Sequence, residues 1–354
     1  MLSDRLFPSN VYCLSHGQEL ILQATLLKGE TALQAWDRWQ SAVDIETLDS
    51  PSAALLSQLY QNLLALGVQH QHMARLKGIY RRNWYANQLQ LNYLSSLLAQ
   101  LKNHKIEAIV LGQASFCSGS VENYRSINNF HLLVQQSELE RAVHHLIGLN
   151  WQLISSIAKP WVHLQDQRQF PLYLQAHLFW CEPQDYTDAQ LWHYATPYGC
   201  DPTGWQLSVT DQFLDRCART FFKSPSNQIE GIADAMLLIQ NSSQDLDWRR
   251  LIAQAQRYQM VLPVRNMLIL LREVLQCSLP NWLPTELWQL PITRQEWLNY
   301  KVLAGDQQSY WQSKLAQTIA TVNQLGTPLR PLIHFPFPGK QIMKSLLRPT
   351  RPTF

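Results

Sequence analysis

Apolar residues recur at helical spacing through the N-terminal part of the chain. From Ser52 they fall three and four positions apart, which predicts an amphipathic helix ending at Gly67: Leu55, Leu56, Leu59, Tyr60, Leu63, Leu64 and Leu66. The segment from Trp84 to Leu101 keeps this spacing and contains no proline or glycine. One long helix is therefore expected there, and residues 18–104 as a whole are predicted to be helical.

The pattern changes after His104. The short apolar run from Ile106 to Leu111 is followed by Gly112, which is typical of a strand that ends at a turn. Phe130 to Val134 predicts a second strand, and a serine cap with an acidic first turn predicts a helix from Ser137 to Gly148. Three further strands are expected at 151–157, 162–165 and 172–177. These elements predict a small α/β core from about 105 to 182.

Helical spacing returns at Ser208, where Ser208 to Asp211 resembles a capped helix start. Further helices are predicted at 229–239, 246–258, 262–275 and 307–325. The expected fold class is α+β, with a small mixed-sheet core between two helical regions. The predicted units are an N-terminal helical region (1–104), the core (105–206), a C-terminal helical domain (207–329) and a basic, proline-rich tail (330–354).

Composition narrows the class of protein. Hydrophobic residues make up 46% of the chain and charged residues 16%, and the net charge of +3 is too small to be a specific sign of nucleic-acid binding. The six cysteines form no CxxC pair, so we expect neither a zinc site nor a disulfide framework, and the thiols suit a cytoplasmic protein. No apolar run approaches the roughly 20 residues that span a bilayer, so no transmembrane segment is expected.

Well-known catalytic motifs are missing from the sequence. The chain has no Gly-x-Ser-x-Gly elbow, no Gly-Lys-Ser/Thr phosphate loop and no paired-glycine dinucleotide fingerprint. These absences argue against a serine hydrolase, a phosphate-loop kinase and a dinucleotide-dependent enzyme.

The segment from Arg125 to Val134 points in another direction. It resembles a nucleotidyltransferase active-site strand, which reads Arg, three residues, Asp, an apolar residue, Asp and then Leu-Leu-Val. Matches outside the strand include Trp36 to Trp39, Asp44 to Asp49, Leu76 to Asn83 and Leu246 to Leu251. Together they resemble a bacterial group of uncharacterised nucleotidyltransferases in the polymerase-β-like superfamily. The resemblance implies Mg²⁺ and a nucleoside triphosphate, but only if the family activity is retained.

The chain departs from that family at its chemical motifs. The paired aspartate positions fall on Asn129 and His131, and the third carboxylate position falls on Gln175 of Gln175-Ala176-His177. The turn that resembles Leu-Lys-Gly-Ala places Gly112 and Gln113 at the lysine and glycine positions, and a helical His-Gly-Ala-Lys-His motif falls on 216–220. Mg²⁺ requires hard oxygen ligands, so these changes predict the loss of metal-dependent transfer.

Alternatives remain open at individual residues. Asn129 and His131 face the same side of their strand, where they either line a pocket, with His131 a ligand for a softer metal such as zinc, or fill a dead site. His177 either pairs with His131 across neighbouring strands or is a hydrogen-bonded core histidine. Arg125 either binds phosphate bidentately or forms a surface ion pair. No metal site and no cofactor are assigned.

The sequence therefore predicts a nucleotidyltransferase-like pseudoenzyme that binds or assembles with a protein partner. The alternative is an active enzyme that moves a nucleoside monophosphate to a small-molecule or protein hydroxyl. Its non-standard acids would be drawn from Glu107, Glu122, Asp166 and Glu182. A third hypothesis keeps nucleotide binding without turnover, with Arg125 and the Gly112 turn holding phosphate.

Overall fold

The computed structural model describes residues 14–117, 125–155, 161–179, 185–222, 228–242, 244–294 and 296–297. The N-terminal part is helical, as predicted. Its helices are α1 (His16–Leu26), α2 (Gly29–Ala42), α3 (Ser50–Ala54), α4 (Leu56–Ala65) and α5 (Met73–Asn103). The helix predicted from Ser52 is divided at Leu55, and Gly67 follows its second half with a φ of 72°. The long helix begins at Met73 rather than Trp84, because the Gly78 within it does not interrupt it.

A seven-stranded mixed sheet follows in the described part of the chain. Its strands are β1 (Ala108–Leu111), β2 (Phe130–Val134), β3 (Gln152–Leu153), β4 (Trp161–Gln165), β5 (Pro171–Gln175), β6 (Thr196–Pro197) and β7 (Trp205–Gln206). The spatial order is β3-β4-β5-β2-β1-β7-β6. Strand β2 is antiparallel to β1 and parallel to β5. The α+β class is confirmed, although β6 and β7 are too short to leave a pattern in the sequence.

The remaining helices are α6 (Leu139–Gly148), α7 (Asp185–Tyr194), α8 (Val209–Phe222), α9 (Gln228–Ser242), α10 (Trp248–Arg257), α11 (Val261–Glu273) and α12 (Trp282–Gln289). The Ser208 cap of α8 is confirmed, since its Oγ accepts a hydrogen bond from the Asp211 amide. The Ser137 cap is not formed, because a 3₁₀ turn at Gln136–Glu138 precedes α6. The helix predicted at 307–325 and the tail lie outside the described residues.

Two hydrophobic cores meet at the sheet. One face, which includes Phe130, Leu132 and Leu172, packs with α5 and α6. The other face contributes Ile109, Leu111 and Leu133 to a larger core, which joins α1–α4 to the C-terminal helices. The two helical regions also share hydrogen bonds, from Gln240 Nε2 to the Leu26 carbonyl and from Gln23 Nε2 to the Val274 carbonyl. The domain limits therefore stay a prediction, but the helices on either side of the sheet in sequence share one interior.

In the part of the chain that the structure describes, no helix combines the length and the apolar character needed to cross a bilayer.

Candidate functional site

Strand register places the three acid positions of the family motifs at one side of the sheet. His131 on β2 lies opposite Tyr173 on β5, and Leu133 lies opposite Gln175. Side chains two residues apart on a strand point the same way, so His131 and Gln175 share a face. Asn129 lies two residues before His131, so the same alternation places it on this face. This is the face that carries Leu111 and Leu133 toward the larger core.

Stacked rings occupy this face where carboxylates would stand in the family pattern. The ring centroids of His131 and Tyr173 are 4.7 Å apart with an interplanar angle of 17°. His163 on β4 stacks on the other side of Tyr173 at 4.7 Å and 18°, and Trp161 meets Tyr173 edge-on at 6.4 Å. The stack continues across three adjacent strands, so His131 takes part in packing in the sheet face.

Gly112 is fitted closely to His131. Its φ of 71° lies in the left-handed region that favours glycine. A Cβ added at this position would lie 3.2 Å from His131 Cδ2. Any larger residue, including the lysine of the family motif, would therefore combine backbone strain with a steric conflict. The glycine at the lysine position and the histidine at the aspartate position fit each other.

Arg125 is buried and held from two sides. Its guanidinium donates to Glu230 at 3.1 Å and forms a second, short ion pair with Asp234, and both acids lie on α9. Its carbonyl accepts a hydrogen bond from Asn87 Nδ2 of α5 at 2.7 Å, while Asn87 Oδ1 accepts from the Ile127 amide at 2.9 Å. These contacts fix the segment that leads into β2. The structure places Arg125 in an ion pair, but a buried one rather than the surface pair offered as an alternative from sequence. Phosphate binding stays a prediction.

Asp234 connects Arg125 to other altered positions. Gln113 Nε2 donates to Asp234 Oδ2 at 3.2 Å, and Arg216 approaches the same oxygen at 3.5 Å. Arg216 also pairs with Asp215 at 2.8 Å, and Arg219 binds Asp215 at 2.7 Å. Residues of three altered motifs thus belong to one charge network, in which each arginine has an acidic partner.

Glu230 and Asp234 are site residues that were not predicted from the sequence. Their spacing of four places them on one face of α9, and Asp234 lies within the part of the chain that resembles the family's helical half. That spacing was the available signal. It could not show that α9 faces Gln113 and Arg125, because the contact joins residues more than a hundred positions apart.

The residues at the acid positions do not fit Mg²⁺. Asn129 and Gln175 offer only amide oxygens, His131 offers nitrogen, and Gln175 Nε2 donates to the His177 carbonyl at 2.9 Å. The nearby carboxylates of α9 are engaged by arginines. In the described ranges, no group of three or more His, Cys, Asp or Glu side chains is arranged to hold a metal ion. We therefore derive no metal-dependent step at this site.

Of the two alternatives for His177, the register does not place it across from His131. His131 is opposite Tyr173, and His177 lies beyond the end of β5. His177 instead lines an open cleft of about 570 Å³ with Gln135, Gln136, Ser137, Ala176, Ala189 and Trp192.

Two of the acids named for the alternative enzyme, Glu107 and Asp166, lie among the described residues, and neither is at the Gly112 turn. Glu107 lies at the opposite end of β1, in a cleft with Lys102 and Lys105. Asp166 accepts hydrogen bonds from the Arg168 and Phe170 amides and from the Tyr93 hydroxyl. Burial, with Asp166 adding to it, raises the pKa of Tyr93 to about 12. Glu122 and Glu182 lie outside the described residues.

The fold and the site together describe a nucleotidyltransferase-like α+β protein in which a buried arginine precedes β2 and the strand itself carries no carboxylate. The chain belongs to the family of uncharacterised nucleotidyltransferases, whose model matches residues 51–276. That range includes Arg125, the altered strand motifs and Asp234. A comparison with curated protein sequences found no match.

Proposed function

We propose that this protein has lost metal-dependent nucleotidyl transfer and acts as a binding or assembly partner. One observation carries the proposal: His131, at an aspartate position of the family motif, is packed between the Tyr173 ring and the Gly112 turn. A side chain held in this way serves the packing of the sheet. It supplies none of the negative charge that Mg²⁺ and a triphosphate require.

The charge network supports the same conclusion. In phosphoryl transfer, cationic groups must be available to stabilise the charge that develops on the phosphate. Arg125 is the cation nearest to the altered strand motif in sequence, and its side chain is only 5% exposed and paired with two acids. A phosphate would have to displace those carboxylates. The network is therefore suited to holding the segment before β2 against α9, as part of a stable scaffold.

An active nucleotidyltransferase remains the second candidate, favoured by a specific observation. Glu230 and Asp234 lie one helical turn apart on α9, and Asp234 contacts Gln113 beside the Gly112 turn. In this candidate they would take the place of the missing strand acids after releasing Arg125. The hydroxyl that receives the nucleotide would belong to a small molecule or a protein. The nucleotide-binding sensor is the third hypothesis, with Arg125 as its phosphate ligand.

Calorimetric titration of the full chain with each nucleoside triphosphate, with and without Mg²⁺ or Mn²⁺, separates the three hypotheses. We expect no metal-dependent binding. Micromolar, metal-dependent binding that is lost in Glu230→Gln would support the active enzyme and contradict the proposal. Metal-independent binding lost in Arg125→Lys would support the sensor. Glu107→Gln is the matched control, because Glu107 lies at the far end of β1.

We further propose that the protein works in the cytoplasm with a protein partner. Cys217 and Cys277 are buried, free thiols, which suits a reducing compartment. Cross-linking of the intact protein in cells, followed by mass spectrometry, would identify the partner. Cross-links that cluster on the sheet and α9 would support the assembly role.

A further inference from the structure

The outward side of α5 has an unusual composition. The helix carries five cations, Arg75, Lys77, Arg81, Arg82 and Lys102, and no acidic residue. At 100° per residue, seven exposed side chains fall within roughly 160° of its circumference. We call this set the basic aromatic face, and it consists of Lys77, Arg81, Arg82, Trp84, Tyr85, Gln88 and Leu89.

The large side chains of the basic aromatic face are exposed to solvent. Trp84 is 51% exposed, Tyr85 63% and Leu89 52%. The opposite side of α5 is buried through Leu76, Asn83, Asn87 and Leu94. Asn83 binds Ser57 and Ser126, and Asn87 binds the backbone on either side of Ser126. These contacts hold the buried side of α5 in place, and the exposed aromatic side chains project from the opposite side.

The cations of this face lack acidic neighbours. In the part of the chain that the structure describes, Lys77, Arg81 and Arg82 take part in no ion pair, whereas Arg75, just beyond the face, pairs with Glu46. Surface cations are more often interspersed with acids, and large aromatic side chains are seldom exposed in a cluster. The face therefore complements a partner that is both anionic and able to accept aromatic rings.

We propose that the basic aromatic face binds the surface of an anionic lipid bilayer, with α5 lying parallel to the membrane plane. Tryptophan and tyrosine prefer the boundary between headgroups and acyl chains, and lysine and arginine bind anionic headgroups. From Lys77 to Leu89 the face is about 18 Å long. The proposal is independent of the proposed pseudoenzyme function.

Single-stranded nucleic acid fits the same observations less well. Proteins that bind it use a groove in which successive bases stack on aromatic side chains. The basic aromatic face is a convex helix surface, and its two aromatic residues are adjacent in sequence. It therefore lacks the groove that would guide a strand.

The test is co-sedimentation of the full chain with vesicles. Phosphatidylcholine vesicles with and without phosphatidylglycerol should bind the protein only when the anionic lipid is present, and salt should weaken the binding. Arg81→Gln combined with Arg82→Gln should weaken it roughly 30-fold, since the two surface cations together contribute about one-and-a-half powers of ten in affinity. Trp84→Ala with Tyr85→Ala should weaken binding in high salt as well, where headgroup attraction is screened.

The matched control is Arg249→Gln with Trp282→Ala, which removes another exposed cation and tryptophan, in contact at 4.9 Å, from α10 and α12. This variant should bind vesicles like the unmodified protein. Thermal melting followed by circular dichroism confirms that each variant is folded. The proposal is overturned by equal binding to neutral vesicles or by no binding. It is also overturned if only Lys340→Gln with Lys344→Gln weakens binding, which would assign the contact to the tail. Tighter binding to single-stranded DNA than to vesicles would overturn it as well.

Discussion

Arg125 and Asp234 show how a single residue supports the site. The two side chains are each about 5% exposed and form a short ion pair, with Glu230 and Arg216 as further partners. Removing one partner from a buried pair leaves an uncompensated charge, which costs more than the pair contributes. The stability of this region therefore depends on the arginine that the family pattern would assign to the active site.

Arg125→Ala should lower the free energy of unfolding by about 3 kcal/mol, because the Asp234 carboxylate is left buried with a weakened partner set. Urea denaturation followed by circular dichroism measures the change. Combining it with Asp234→Asn should cost less than the sum of the two single changes. The exposed pair of Arg75 and Glu46 supplies the control, and Arg75→Ala should change stability by less than about 1 kcal/mol. An equal effect of the two arginine changes would contradict this account.

At the scale of elements, α8 and α9 approach each other closely. An added Cβ at Gly231 of α9 would collide with Thr220 Oγ1 of α8, whose hydroxyl donates to the Arg216 carbonyl at 2.7 Å. The same two helices carry Arg216, Asp215, Glu230 and Asp234. The close contact therefore sets the distance across which the charge network forms.

Gly231→Ala should destabilise the protein by about 2 kcal/mol, because overpacking forces the helices apart. Thermal or urea unfolding provides the measurement. Gly78→Ala is the control: Gly78 lies inside α5, and an added Cβ would have no neighbour within 4 Å. Alanine there should stabilise the helix by about 1 kcal/mol. A neutral or stabilising effect of Gly231→Ala would show that the helices separate without cost.

Glu296 links a later segment to the start of α11. Its carboxylate accepts a hydrogen bond from the Leu262 amide at 2.6 Å. Burial raises the pKa of Glu296 from its ordinary value of 4.5 to about 7, although this hydrogen bond and the nearby Arg265 oppose the shift. The folded state therefore favours the protonated form of this side chain.

Because the folded pKa is raised, the contribution of Glu296 to stability is fully present below pH 4.5 and is lost as the pH rises through about 7. The loss should be on the order of 3 kcal/mol. Glu296→Gln should remove it, so the stability difference between the two proteins should change across this window. Urea denaturation at a series of pH values measures that difference. A difference that stays constant with pH would contradict the raised pKa.

At the scale of the whole molecule, the helices that flank the sheet in sequence pack together. The larger core contains Leu22 of α1 and Ile232 of α9, both fully buried. Hydrogen bonds from Gln240 to the Leu26 carbonyl and from Gln23 to the Val274 carbonyl also join the N-terminal helices to the C-terminal helices. The N-terminal helices are therefore expected to open together with the C-terminal helices.

Leu22→Ala should accelerate hydrogen exchange in α9 as well as in α1, because the cavity weakens their shared core. Hydrogen exchange followed by mass spectrometry measures both helices in one experiment, at a pH where the helices close again faster than their open amides exchange. Faster exchange confined to α1 would show that the N-terminal helices form a separate domain ending near residue 104. Leu20, which is also buried in α1, allows the measurement to be repeated as Leu20→Ala.

Much of the local structure could be predicted from the sequence because it depends on nearby residues. The spacing of apolar positions predicted α4, α5, α8 and α9, and the β2 strand was placed at its observed limits. The two-residue strands β6 and β7 could not be predicted, since they have too few residues to form a pattern and exist through pairing with distant chain. The Ser137 cap failed because a 3₁₀ turn intervened.

The candidate site, like the fold, could be predicted from the sequence only in part. Membership of the nucleotidyltransferase family could be predicted from the sequence, since motifs depend on order and spacing. The loss of acidic residues from those motifs stays a prediction. The partners of the motif residues could not be predicted. Strand register places the Tyr173 ring against His131 and puts His177 beyond the end of β5. Helix packing brings Glu230 and Asp234 into ion pairs with Arg125.

By itself, then, the sequence determined the helices, the central strands and the family, because each is a property of residues close together in the chain. Only the tertiary structure decided what surrounds the residues of the strand motifs: a stack of aromatic rings on the sheet and a buried network of arginines and acids. It also decided that the two helical regions share one core. These features join residues far apart in sequence, and their geometry is set by the packing of α8, α9 and the sheet rather than by local preference.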